Sequence, residues 1–157
     1  MPTPGKARYH EAALSEVAAH AEAAYPEECC GALLGSSPEE IALAVRLTNI
    51  AAASRPTDSS GRERNARDAY EIDAAELDAL HDQAHARGLR VVGIYHSHIE
   101  VGAYFSQMDR DVALAFGEPT YPVYLVASAR AGHCDGLKSF TWDGSEFQEE
   151  SLPAPSR

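Results

Sequence analysis

Two histidines separated by a single serine, His96-Ser97-His98, are followed after seven residues by Ser106 and three positions later by Asp109. Two imidazoles and a carboxylate within one short segment form the donor set of a catalytic zinc site with one coordination position left open. In an extended chain residues i and i+2 face the same way, so both rings can turn to one ion while Ser97 turns to the other side. Ser106 and Asp109 also have the spacing of a helix capping box, which by itself explains the pair. The two roles are compatible, because a serine hydroxyl can accept from a helix amide and still donate its own proton to a negatively charged oxygen near a metal. Hydrolysis at such a site also needs a group to take a proton from water, and a nearby carboxylate is the usual one. The segment Tyr25-Pro26-Glu27-Glu28-Cys29-Cys30-Gly31 delivers a glutamate at the start of an apolar strand, from which it could reach a site built elsewhere.

The elements that must position these groups read as an alternation of helices and strands. Leu14, Val17, Ala18, Ala21 and Ala24 recur on one helical face that ends before Pro26. Strands are predicted at Cys30 to Gly35 and at Ile41 to Leu47, followed by a polar, irregular segment from Ala51 to Asp68. Asp73 and Glu76 look like a cap and box opening a helix that carries Leu77, Leu80 and Ala84 inward and stops at Gly88. Leu89 to Tyr95 is a short β-branched apolar run, predicted to be a buried central strand with His96 and His98 at its carboxyl end. A loop from Ile99 to Phe105 then leads into a helix opening at Ser106. Tyr121 to Ser128 is predicted to be a strand, and Leu137 to Trp142 pairs with Glu146 to Gln148 across an Asp143-Gly144 turn.

The Glu-x-Cys-Gly segment, the His-Ser-His, the seven-residue gap and the Ser-x-x-Asp together resemble the JAMM motif of the MPN/JAB-domain zinc metalloproteases. That family includes deubiquitinating isopeptidases and prokaryotic enzymes acting on ubiquitin-like proteins. The resemblance implies an α/β fold, a single JAB/MPN-like domain with a mixed central sheet flanked by helices, spanning residues 1–150 with a flexible tail over 151–157. It implies that His96, His98 and Asp109 bind one Zn2+ per chain, that Glu28 is the general base, and that Ser106 helps stabilise the oxyanion. Glu28 rather than Glu27 matches, because it stands two residues before Cys30-Gly31. The implied partner is a ubiquitin-like or sulfur-carrier protein with an extended glycine-rich tail, either joined to a lysine or carrying an extra carboxyl-terminal residue. The single-domain layout favours the sulfur-carrier or small-modifier version. One position departs from the family: Ile99 stands where proline is usual, which frees φ and restores an amide donor. A non-catalytic module that uses the same fold to hold a ubiquitin-like partner is the alternative of a different class.

Composition narrows the field further. The chain has 157 residues, 45% of them hydrophobic, enough to bury one core. A formal charge of -11 opposes binding to a phosphate backbone, so nucleic acid is not an expected partner. No apolar run reaches membrane-spanning length and no signal-peptide pattern opens the chain, which makes the cytoplasm the expected compartment. Three cysteines, two of them adjacent, form no disulfide framework and fit a reducing environment. Arg55, Arg62, Arg64 and Arg67 concentrate positive charge in the Ala51 to Asp68 segment, either as a grip on an acidic face or carboxylate of a protein substrate or as a disordered surface insertion. Tyr104 and Phe105 divide between substrate wall and packing. His81 and His85 share a helical face but have no carboxylate pattern beside them, and Cys29 reads as a small buried hydrophobe rather than a nucleophile.

Overall fold

The computed structural model describes residues 6–155. Its elements are α1 (Glu11–Ala24), β1 (Cys30–Gly35), β2 (Ile41–Leu47), α2 (Ala51–Ser54), α3 (Ala74–Ala86), β3 (Arg90–Ile99), α4 (Gln107–Ala113), β4 (Val123–Arg130), β5 (His133–Trp142) and β6 (Phe147–Leu152). One six-stranded sheet runs in the order β2-β1-β3-β4-β5-β6. Of the neighbouring strands in this sheet, β3 and β4 pair in parallel, with α4 in the crossover between them, and the others pair antiparallel, so the sheet is mixed. The expected α/β domain with a mixed sheet and flanking helices is thus the fold observed.

The sheet buries both faces. Ala13, Val17 and Ala21 of α1 pack on one side with Leu33, Tyr95 and Leu125. Leu80 and Ala84 of α3 and Ala113 of α4 pack on the other with Leu34, Ile94, Val126 and Phe140. A strand covered on both faces needs apolar residues in an unbroken run, and Val91 to His98 are all buried. Within β3 the alternation is offset once: Leu33 pairs with Gly93 and Leu34 with Val91, leaving Val92 as the extra residue of a bulge. Downstream of it, Ile94, His96 and His98 face the α3/α4 side, while Tyr95 and Ser97 face α1.

Several features differ from the sequence expectation, among them the start of β5, at His133 rather than Leu137, and the end of β4, at Arg130 rather than Ser128. β3 continues to Ile99 because β4 keeps pairing with it, His96 to Val126, His98 to Ser128 and Ile99 to Ala129. β4 itself starts at Val123 rather than Tyr121. A four-residue helix, α2, interrupts the polar segment after Ile50. Ser151 and Leu152, read as the start of a frayed tail, pair with Lys138 and Leu137 as the end of β6; residues 156 and 157 of that tail lie outside the described residues, as do residues 1–5. Asp73 caps α3 by accepting from the Ala75 and Glu76 amides, but the Glu76 carboxylate accepts from Thr48 N instead of closing a box.

Candidate metal centre

The site forms where β3 ends and α4 begins, two points that a βαβ crossover makes neighbours. Asp109 sits in the first turn of α4, where the capping box is complete: Ser106 Oγ accepts from Asp109 N at 3.0 Å and Ser106 N donates to Asp109 Oδ2 at 2.9 Å. That same Oδ2 lies 3.1 Å from His96 Nε2 and 3.2 Å from His98 Nε2, and the two ring nitrogens are 3.2 Å apart. Three donor atoms at these separations form one face of a tetrahedron around an ion at zinc-like ligand distances, whose edge is about 3.3 Å. The chemistry of the donors points the same way. His98 Nδ1 donates to Gly102 O at 3.1 Å, which in the neutral ring leaves a bare lone pair on Nε2. That lone pair faces a carboxylate oxygen and a second ring nitrogen, an arrangement a cation relieves.

The fourth group comes from the neighbouring strand, because β1 runs antiparallel to β3 with Cys30 opposite His96, which sets the start of β1 beside the end of β3. Glu28 precedes β1 and is held by its backbone: Glu28 N donates to Ala66 O at 2.7 Å, and Asn49 Nδ2 donates to Glu28 O at 2.9 Å. The next amide, Cys29 N, donates to Ser97 Oγ at 2.8 Å, so the serine between the two histidines ties the glutamate strand to the histidine strand from the opposite face. Glu28, His96 and His98 are all buried, and one ligand atom from each lies within 4.8 Å of the others. Two triads therefore share the histidines, and the one completed by Asp109 is the tighter.

Burial sets the protonation states. It raises Glu28 well above the ordinary carboxylate range, reinforced by Asp109 and Asp68 and relieved in part by Arg64. Burial also holds His96 below its ordinary value against the pull of Asp109. On Asp109, burial works upward, and the adjoining His96 and His98 rings overcome it, leaving the carboxyl well below the usual range. A neutral imidazole and an ionised carboxylate are the forms that bind metals. His96 stacks on Tyr70 at 4.3 Å between ring centroids, and its Nδ1 is buried with no partner among the described residues. An unpaired buried polar atom costs roughly 1–3 kcal/mol, so this ring is poorly explained as a device for stability alone.

Glu28, His98 and Asp109 open onto a cleft of about 490 Å³. One wall is the 58–68 loop, and the other carries Val101, Tyr104 and Val112. The arginines of the 51–68 segment do not form a basic patch. Arg55 pairs with Glu63 at 3.3 Å, Arg62 with Asp68 at 3.2 Å, and Arg64 with Asp58 at 2.7 Å, while Arg67 has no side-chain partner among the described residues. Phe105 packs inward against Phe140 and Phe147, whereas Tyr104 is exposed and meets the His98 ring edge-on. His81 bonds to the Tyr121 hydroxyl at 2.7 Å rather than sharing anything with His85. Burial pushes the Cys29 thiol up to about 12 and Cys30 higher, which leaves both inert near neutrality. Asn49 and Tyr70 were not identified from the sequence. An asparagine two residues after a strand, and a tyrosine in a polar stretch, carry no local signal of the contacts they make.

The sheet order, the crossover helix and the histidine-carboxylate cluster at its mouth together define a JAB/MPN-type domain. A family model described as prokaryotic homologs of the JAB domain matches residues 10–143, and the chain belongs to that family. The solution structure of a protein from Desulfitobacterium hafniense is similar with a TM-score of 0.65 and 24% identity, over 90% of this chain and 88% of that one. A second solution structure, of a Salinibacter ruber protein, matches with a TM-score of 0.58 and 32% identity over 91% and 88%. The crystal structure of a JAB1/MPN domain protein from Archaeoglobus fulgidus shares the fold at 0.53 and 16% identity, over 92% and 96%. The comparison with curated proteins returned no match. No helix among the described residues is long and apolar enough to cross a membrane.

Proposed function

We propose that this chain is a zinc-dependent peptidase of the cytoplasm that hydrolyses the amide following the carboxyl-terminal tail of a ubiquitin-like or sulfur-carrier protein. The observation that supports this most is the triangle of His96 Nε2, His98 Nε2 and Asp109 Oδ2, all within 3.2 Å of one another beside a buried glutamate at the floor of a cleft. In this reading those three side chains hold the ion. When bound there, zinc supplies Lewis-acid chemistry that acidifies water and polarises a carbonyl.

The rest belongs to the chain's own residues. Glu28 takes a proton from the attacking water and later gives it to the leaving nitrogen. Burial, by raising its affinity for that proton, brings the carboxyl nearer to the working pH, where a group that must both accept and donate is most effective. The Ser106 oxygen accepts from Asp109 N, which leaves the hydroxyl proton available for the carbonyl oxygen as charge develops on it.

The test pairs metal analysis with turnover. Purified protein is incubated with carrier-amino-acid conjugates and with lysine-linked conjugates, and the products are weighed by mass spectrometry. Cleavage by the wild type and its loss in Glu28→Gln, on the order of 10²–10⁴-fold, with zinc retained, is the expected result. Failure to cleave either conjugate, or a metal-free protein that zinc does not activate, counts against the reading. Binding of the ubiquitin-like protein that Glu28→Gln leaves unchanged, with no cleavage by either protein, would favour the binding module.

A further inference from the structure

The walls of the cleft differ in kind, and one side chain on them is uncommitted. Val101, Tyr104 and Val112 make one wall apolar, and they stay 58%, 48% and 60% exposed. On the facing wall, Arg64 is spent on Asp58 and Asp68 at 2.7 Å and 3.6 Å. Arg67 lines the same cleft, standing on the ridge between it and a smaller polar hollow. Its backbone amide is held by Asn65 Oδ1 at 2.8 Å, which fixes the loop, and its guanidinium has no hydrogen bond or ion pair among the described residues. Arg8, Arg87 and Arg90 also make no side-chain bond among the described residues, but none of them lines the cleft, whereas Arg67 does.

Its place in the loop says what it faces. Ala66, the residue before it, accepts the Glu28 amide at 2.7 Å, so Arg67 is mounted on the Glu28 side of the site. In the peptidase reading, on which this step rests, Glu28 returns its proton to the departing nitrogen, and the leaving residue therefore lies on that side. A guanidinium presents a planar fork that matches a carboxylate with two parallel bonds. A released amino acid carries a free α-carboxylate two bonds from its nitrogen, whereas a lysine side chain attached through Nζ carries none there.

We propose that Arg67 binds the free α-carboxylate of the leaving residue, so that this cleft is suited to trimming a carboxyl-terminal amino acid and not to releasing a lysine side chain. Arg67 is on this view a specificity residue. It touches the substrate and leaves proton transfer to Glu28.

The experiment uses acetylated glycine-rich peptides ending in Gly-Gly-Ala, as the free acid, as the carboxamide, and as a carboxamide with Asp in place of the final Ala. Cleavage by the zinc-loaded full chain is followed by mass spectrometry, and binding of the same peptides to the wild type by calorimetry. The free acid is expected to exceed the carboxamide by about tenfold or more in kcat/KM and in affinity, the scale of one charge-assisted bidentate contact. In Arg67→Gln both ratios fall to about one, with the thermal midpoint held near the wild-type value because the side chain makes no bond in the fold. Equal use of acid and amide by the wild type, or a preference that survives in Arg67→Gln, overturns the proposal. So does full recovery of the preference by the Asp carboxamide, which would place the contact on a side chain instead of the terminus. If no peptide is cleaved, the peptidase reading fails on its own account, and the binding ratios still decide the role of Arg67.

Discussion

Asn49 does more to place Glu28 than any residue named by the motif. Its Nδ2 donates to Glu28 O at 2.9 Å and Ala69 O at 3.1 Å, and its Oδ1 accepts from Ala51 N at 3.0 Å and Glu71 N at 3.1 Å. All the hydrogen-bonding capacity of the amide is used, and it joins the glutamate strand to both ends of the 51–71 segment. Asn49→Ala leaves two carbonyls and two amides short of a partner, and the expected loss is roughly 2–4 kcal/mol in urea unfolding, given about 1–3 kcal/mol for each group that water cannot reach. Turnover should fall with it, because Glu28 loses its backbone anchor. Asn49→Asp should rescue little, since it sets a carboxylate oxygen against the two carbonyls that Nδ2 now serves. An unfolding free energy within 0.5 kcal/mol of wild type, the range usual for an uninvolved surface site, would remove Asn49 from this role. None of this was legible in the chain, because the four partners lie between 2 and 22 positions away and share no pattern. The candidate site residues were legible for the opposite reason: His96, His98, Ser106 and Asp109 fall on one strand end and the next helix start, where local spacing fixes geometry.

Between elements, the close approach of β1 and β3 explains why the motif contains a glycine. Gly31 pairs with Tyr95, and a Cβ placed on it would lie 2.3 Å from the Tyr95 ring. That ring is fully buried and its hydroxyl is tied to His20 Nδ1 of α1 at 2.7 Å, so it has little room to swing away. Gly31→Ala should therefore cost about 1–3 kcal/mol or more by overpacking, read as a lowered urea midpoint with an unchanged slope. The same contact makes a pH prediction. Burial, with help from Arg46, lowers His20 to about 4, from an ordinary value of 6.5. Between those values the unfolded chain takes up a proton that the native ring refuses, so the stabilisation is complete above about pH 6.5 and is lost as pH falls toward 4. His20→Gln keeps an acceptor for the Tyr95 hydroxyl and does not titrate. Its thermal midpoint should drop less than that of the wild type between pH 7.5 and pH 4.5, and parallel decreases would refute the assignment. Strands such as Cys30–Gly35 and Ile41–Leu47 were readable to the residue because each is bounded by turn chemistry. The end of β3 was not, because its last four residues are polar or flanking and become strand only through pairing with β4.

At the scale of the whole molecule, the sheet brings Glu28, the two histidines and Asp109 together from three separate elements, and what they hold should be felt by the fold. Asp109 is fixed by the α4 cap and His98 by Gly102, which limits the ordering that would oppose metal binding. Zinc that binds only the native state should therefore stabilise by mass action, about 2.7 kcal/mol at a free concentration one hundred times Kd. For a domain of this length that corresponds to roughly 5–10 °C in thermal midpoint. The expected series is a rise on adding zinc to chelator-treated protein, reversal by renewed chelation, and a much smaller rise in Asp109→Asn. That variant keeps an oxygen that can accept from Ser106 N, so the helix cap survives while the anionic ligand is lost. Because the cap is retained, a weakened zinc response in Asp109→Asn reports loss of the anionic ligand, and the rise is read against the variant's own metal-free midpoint. Glu28→Gln, by contrast, should keep most of the rise, since the tighter triad of His96, His98 and Asp109 is intact in it. A zinc response lost in Glu28→Gln and preserved in Asp109→Asn would transfer the ion to the other triad, and with it the role of base.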